Sequence, residues 1–195
     1  RISRADVAGF MLSQLTDDLS PIGARVILVT VLLLVKNLVF TAVVPGTVAV
    51  YIPIRMAGGR LAFLNAPWGW HQVLALLPLL LGAAVYLRCV WDFGTTGRGT
   101  PAPIDAPRRL VVVGLFRYVR NPMYCGVLLL VGGWASFFGS WGILLYACVL
   151  GLAFHSFVVL YEEPHLRRRF GESYDRYCRA VRRWIPGRAF EDAAS

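Results

Sequence analysis

Two short stretches hold most of the residues able to do chemistry. The first is "RYVRNPMYCG" at 117–126, which sets Arg117, Tyr118, Arg120, Asn121, Pro122 and Tyr124 at the mouth of an apolar run. The second is "YEEPHL" at 161–166, where Glu162, Glu163 and His165 follow another apolar run. Asn is a favoured N-cap and Pro suits the first helical position, so Asn121-Pro122 reads as a helix start. The free N–H groups of such a start, with Arg117 and Arg120 beside them, suit an anion. Glu162 and Glu163 fall where a helix is expected to end, beside the negative end of its dipole, so something cationic must offset them. Either an arginine does so (Arg117, Arg120 or one from the tail) or the positive end of a ligand does. An amino acid and S-adenosylmethionine each have both an anionic and a cationic end.

The elements between the two stretches must bring them together. Apolar runs near 20 residues are long enough to cross a bilayer as helices. The first begins near Ile22 and runs through "ARVILVTVLLLVKNLVFTAVV", where Pro45 and Gly46 are expected to interrupt it and leave "TVAVYIPI" as a broken extension. The second covers about His71–Trp91, with Pro78 inside. A polar Gly/Pro-rich loop follows over 92–116. The third runs Pro122–Phe138, Gly139 and Ser140 turn the chain, and the fourth runs Trp141–Tyr161. The expected fold is an all-α polytopic membrane bundle. It has four principal transmembrane helices, with a broken fifth left open at Pro45. The 122–161 hairpin returns to the face it left, so "RYVRNP" and "YEEPHL" meet at one membrane edge. One domain covers 1–195: a leader at 1–21, the transmembrane region at 22–161, and a tail at 162–195.

Composition supports a membrane setting. Of the 195 residues, 57% are hydrophobic and 16% charged, and mean hydropathy is +0.59; a soluble domain carries about a quarter charged residues. The net charge of +9 comes almost wholly from arginine. Those arginines sit in loops and the tail rather than on a soluble face, which argues against nucleic acid and for anionic head groups. The 88–120 stretch holds Arg88, Arg98, Arg108, Arg109, Arg117 and Arg120, and the tail is richer still, against Arg55 and Arg60 alone in the 52–70 connector. The positive-inside rule then puts the long loop, the tail and both termini in the cytoplasm. Cys89, Cys125, Cys148 and Cys178 show no CxxC pairing and no His at metal spacing, so unpaired thiols and no metal are expected. Lys36 lies within the first run, where a charge is expensive. In the tail, Leu166, Phe170, Tyr174, Tyr177 and Val181 recur at helical spacing, broken near Gly171. That face suits an interfacial helix, acting as a lid over the polar edge or as a membrane anchor.

Together, "GLFRYVRNPMYCG" (114–126) and "EEPHLRRRFGESYDRYCRAVRRWIP" (162–186) resemble the isoprenylcysteine carboxyl methyltransferase family and the related phospholipid methyltransferases. The shared pattern is R-x-[HN]-P-x-Y-x-G, then E-E-x-x-L-x-x-x-F-G-x-x-Y-x-x-Y, then W-I-P, over about the C-terminal half. "GRGTPAP" (97–103) is similar to a loop of bacterial members. The resemblance implies an integral membrane enzyme of a bacterial inner membrane that uses S-adenosyl-L-methionine. It implies that Arg120, Asn121, Pro122, Tyr124 and Gly126 lie at the methionine end, with Tyr118 also touching the cofactor. Glu162 and Glu163 would hold the amino group or ribose, and Phe170, Tyr174, Tyr177, Trp184 and Ile185 would wall the adenine or close the site. A lipid or lipidated small-molecule acceptor would enter from the bilayer.

Two departures bear on that acceptor. Position 121 is Asn where the eukaryotic carboxyl methyltransferases have His, and Asn does not titrate near pH 7. The stretch before the Glu pair, "FHSFVVLY", has no arginine to fork a carboxylate. A carboxylate, an amine, a phenol and other lipid groups stay open. Where the acceptor must lose a proton, His155, Glu163 and His165 are the candidate bases; His155 reads equally as a core histidine bonded to a carbonyl. Arg120 is a further candidate catalytic residue. Two other readings are an NADPH-dependent membrane enzyme like the sterol reductases, and a non-catalytic scaffold of the same fold.

Overall fold

In hydrocarbon a chain must meet its own backbone hydrogen bonds, so apolar runs of this length fold as helices. The computed structural model describes residues 35, 39–59, 68–92, 110 and 112–190, which are all-α apart from one isolated parallel bridge between Val119 and Arg182. Helix α1 covers Val39–Met56, α2 Trp70–Asp92, α3 Pro122–Phe138 and α4 Trp141–Phe170; α5 covers Glu172–Ala180. Helices α1, α2 and α4 are long and apolar enough to cross a membrane. The 17 residues of α3 rise about 25 Å, a little less than a hydrocarbon core of about 30 Å. The leader 1–21, most of the first expected span from Ile22 (Lys36 included) and most of the 92–113 loop lie outside the described residues.

The bundle is apolar outside as well as inside. Leu77, Leu80, Leu145 and Leu152 are exposed on α2 and α4, while Tyr86, Val127, Val131 and Ile143 are buried at the centre with Ala49 of α1. Helices α2 and α3 approach most closely. A Cβ on Gly82 would lie 2.7 Å from the Gly126 carbonyl oxygen, and one on Gly126 would lie 3.0 Å from the Gly82 oxygen. Small residues of this kind let two membrane helices bring their backbones together. Gly139, at φ 59°, closes α3, and Ser140 caps α4 by accepting from the Ile143 amide at 3.4 Å. This is the turn the sequence led us to expect.

Two expected helix ends are not ends. Pro45 and Gly46 do not interrupt α1, which runs on through a widened π turn at Thr47–Tyr51. Nor does α4 stop at the Glu pair; it continues through a π turn at Val158–Glu162 into Glu163–Phe170. The two π turns have one cause. In an α-helix the ring of a proline collides with the carbonyl four residues back. That carbonyl belongs to Ala49 for Pro53 and to Leu160 for Pro164, and each lies inside a π turn that begins six residues before its proline. Widening the turn lets the helix pass the proline without breaking. Over its 30 residues, α4 is about 45 Å long, so its last turns project beyond a bilayer core.

The tail also differs from expectation. Gly171, at φ 54°, separates α4 from α5. The apolar face of Leu166, Phe170, Tyr174, Tyr177 and Val181 does not lie bare against lipid. It packs on the chain's own Leu110, Val112 and Phe190. Burial fits the two tyrosines because their polar ends find protein partners; the Tyr177 hydroxyl donates to the Phe116 carbonyl at 2.6 Å.

Candidate functional site

The hairpin of α3 and α4 brings the two polar stretches to one end of the bundle, and the chain after α5 crosses them as a strap. The Arg120 amide donates to the Arg182 carbonyl, and the Gly187 and Phe190 amides donate to the Tyr118 and Arg117 carbonyls, each at 2.9 Å. Asn121 occupies the N-cap position of α3, yet its side chain makes no capping bond. It donates instead through Nδ2 to the Arg183 carbonyl at 3.1 Å. Cys125 Sγ reaches the Trp184 carbonyl at 3.7 Å. Arg117 Nε donates to the Phe190 carbonyl at 3.1 Å.

The Glu pair is split between two different tasks. Glu163 is buried and takes arginines on both oxygens. Oε1 accepts from Arg183 Nε at 2.6 Å and from Arg120 Nη1 at 3.1 Å, and Oε2 accepts from Arg183 Nη2 at 3.0 Å. The two-point bond from Arg183 is the strong fork geometry of guanidinium and carboxylate. Arg120 Nη1 also donates to Cys178 Sγ at 2.9 Å, while its buried Nε has no partner among the described residues. Ion bridging therefore accounts for Glu163.

Among the described residues, no arginine pairs with Glu162. Its Oε2 accepts from the Tyr124 hydroxyl at 3.0 Å. Tyr124 packs against Phe154 of α4 with ring centroids 4.7 Å apart and faces Trp184 of the strap at 6.4 Å. Trp184 in turn donates through Nε1 to His155 Nδ1 at 3.1 Å. The result is an aromatic wall with a carboxylate at its polar end, built from α3, α4 and the strap. It can hold a cation against ring faces and carboxylate together.

The other expected site residues fall in various places. Pro122 is buried at the start of α3. Gly126 faces Gly82 and Tyr86 of α2 and serves the helix crossing. Phe170, Tyr174 and Tyr177 belong to the separate cluster under the strap. Burial pushes the Tyr177 phenol above its ordinary value, partly opposed by the charge of Arg120, so it remains a donor at neutral pH. Tyr118 and Ile185 are exposed, and His165 stacks on Tyr161 at 6.1 Å. Arg183 and Phe154 were not singled out from the sequence. Arg183 is one arginine in a run of them, and Phe154 one apolar residue in an apolar helix, so neither carries a local signal.

The family model for phospholipid methyltransferases matches residues 70–173, which takes in α2, α3, α4 and both polar stretches. An uncharacterized protein of Haemophilus influenzae is 33% identical over 63 residues, which is 32% of this chain and the whole of that protein. No solved structure matches the chain.

Proposed function

Because the chain belongs to the phospholipid methyltransferase family, we propose that it is an integral membrane enzyme moving a methyl group from S-adenosylmethionine to a lipid or lipidated acceptor. The observation that carries this reading is the constellation of Tyr124, Glu162 and Trp184, where three distant parts of the chain present one carboxylate and an aromatic wall. When bound, S-adenosylmethionine supplies an electrophilic methyl on a sulfonium centre.

The residues present suit that group. Glu162 Oε1 carries no hydrogen bond among the described residues, so it can accept from an amino group or a ribose hydroxyl. The Tyr124 bond holds its other oxygen. The faces of Tyr124, Phe154 and Trp184 favour a cation and exclude water. The start of α3 and the partnerless Nε of Arg120 suit a carboxylate. Glu163 acts through its arginines: it fixes Arg120 and ties Arg183, and with it the strap, over the site. Displacement at a methyl carbon needs alignment in a dry site more than a strong base, and proximity can supply about 7–11 kcal/mol. An acceptor lipid would arrive laterally from the bilayer, with the arginine-rich end cytoplasmic.

Calorimetric titration of the detergent-purified protein with S-adenosylhomocysteine tests the reading, alongside labelled-methyl transfer from S-adenosylmethionine into membrane lipids. Binding is expected for the native chain and strongly weakened in Glu162→Gln. A folded sample that binds no S-adenosylhomocysteine, or a Glu162→Gln variant that binds it as tightly as the native chain, would refute it.

A further inference from the structure

His155 and Trp184 form a pair whose chemistry can be read from the donor count. An indole N–H only donates. At 3.1 Å from Trp184 Nε1, His155 Nδ1 must therefore present its lone pair. A neutral imidazole then carries its proton on Nε2. Among the described residues nothing bonds Nε2. The ring is exposed on α4, seven residues and about 10 Å down the helix from Glu162 toward the bilayer. A donor turned toward hydrocarbon there needs an acceptor. The lipid atoms available at that depth below a head group are the phosphate and ester oxygens.

We infer that His155 is not the base of the reaction but a specificity residue, which Trp184 locks as an Nε2–H donor to an oxygen of the acceptor lipid. Its head group then points up toward Glu162. The lipid part of this inference rests on the methyl-transfer reading above; the protonation part does not. Two features of the site support it. The strap supplies Trp184, and the strap is held by the Glu163–Arg183 fork, so the tautomer is set only when the site is covered. Phe154, next to His155 on α4, packs against Tyr124, so a lipid held at His155 would lie at the edge of the wall that faces the methyl donor.

The test labels the three histidines with nitrogen-15 in the full chain, in nanodiscs of phosphatidylethanolamine, and assigns His155 by its loss in His155→Gln. The expected spectrum has the proton on Nε2 alone, and Trp184→Phe abolishes that preference. Contact of the Nε2 proton with glycerol protons of the lipid identifies an ester oxygen, and contact with head-group protons a phosphate. A proton on Nδ1, a charged ring at neutral pH, or no lipid contact overturns the inference. In labelled-methyl transfer into the same lipid, His155→Leu should raise KM about tenfold with kcat little changed, the size of one lost hydrogen bond. His155→Gln, whose amide can accept from the indole and still donate, should restore most of that loss. A base would instead lose kcat alike in both variants. Should the native chain bind no S-adenosylhomocysteine, the methyl-transfer reading fails while the nitrogen spectrum still judges His155.

Discussion

Replacing Glu163 by Gln should loosen the strap without unfolding the bundle. Glu163 and Arg120 are both well buried, their side chains 9% and 12% exposed, whereas Arg183 is 32% exposed. Breaking a fully buried pair by removing one partner costs about 3–5 kcal/mol. Solvent reaches Arg183, so its share is smaller, and the larger loss is a buried Arg120 guanidinium left without a counter-charge. The opening cost is then about 2–3 kcal/mol, or roughly 30–150-fold in the strap's closed-to-open ratio. Hydrogen exchange by mass spectrometry reads it directly, because the Gly187 and Phe190 amides donate across the strap. Peptides covering 181–190 should exchange faster by that factor, while peptides from α2 and α3 should not change. Protection in 181–190 equal to the native chain would refute the view that Glu163 ties the strap. The double variant Glu163→Gln/Arg120→Met should recover part of the loss, since it also removes the stranded guanidinium and removing both partners of a pair costs less than removing one.

Other contacts carry their own expected outcomes. Gly82→Ala should lower stability in thermal unfolding by about 1–3 kcal/mol, because its Cβ would lie 2.7 Å from the Gly126 oxygen and 2.8 Å from the Leu130 nitrogen; Gly132→Ala, with nothing within 4 Å, should be neutral or better. Tyr124→Phe should weaken S-adenosylhomocysteine binding less than Glu162→Gln, about 3–10-fold, because it removes one bond to the carboxylate and keeps the ring, as calorimetry can show. Tyr177→Phe should cost about 1–2 kcal/mol by removing its buried bond to the Phe116 carbonyl. Burial raises the Tyr177 phenol above 10.0 in the folded chain, so this contribution is whole below pH 10.0 and is lost as pH rises through the folded value. A native-minus-variant stability difference that falls between pH 6 and 9 would contradict that assignment.

Much of the architecture is legible in the residues themselves. Apolar run length sets the spans, and α2 and α3 run within a residue of where the sequence puts them. Gly139-Ser140 makes the turn because only a left-handed residue and a cap fit there. A two-span hairpin must return to its own face, so Tyr124 and Glu162 meet although 38 residues apart. The family pattern rests on these same residues. What run length and periodicity miss is azimuth and cover. The π turn at Val158–Glu162, which ends on Glu162, inserts an extra residue ahead of Glu163 and rotates the rest of the helix by roughly 100°; the side chains around the pair then decide that Glu163 meets arginines and Glu162 a tyrosine. The expected end at Tyr161 hid a continuous helix, and Pro164 is the local signal for the turn that carries it on. Periodicity in the tail reveals an apolar face, but a face has no address. Whether lipid or the chain's own Leu110, Val112 and Phe190 cover it depends on contacts distant in sequence. Asn121 likewise has the residue type of a cap, yet a carbonyl 62 residues on competes for its amide and wins. Sequence alone dictates which segments cross the bilayer and which end of the bundle is polar, because burial of apolar runs is a local matter of length and composition. Packing in three dimensions selects which carboxylate is clamped and which is open, because that choice rests on the rotation of one helix and the path of a strap.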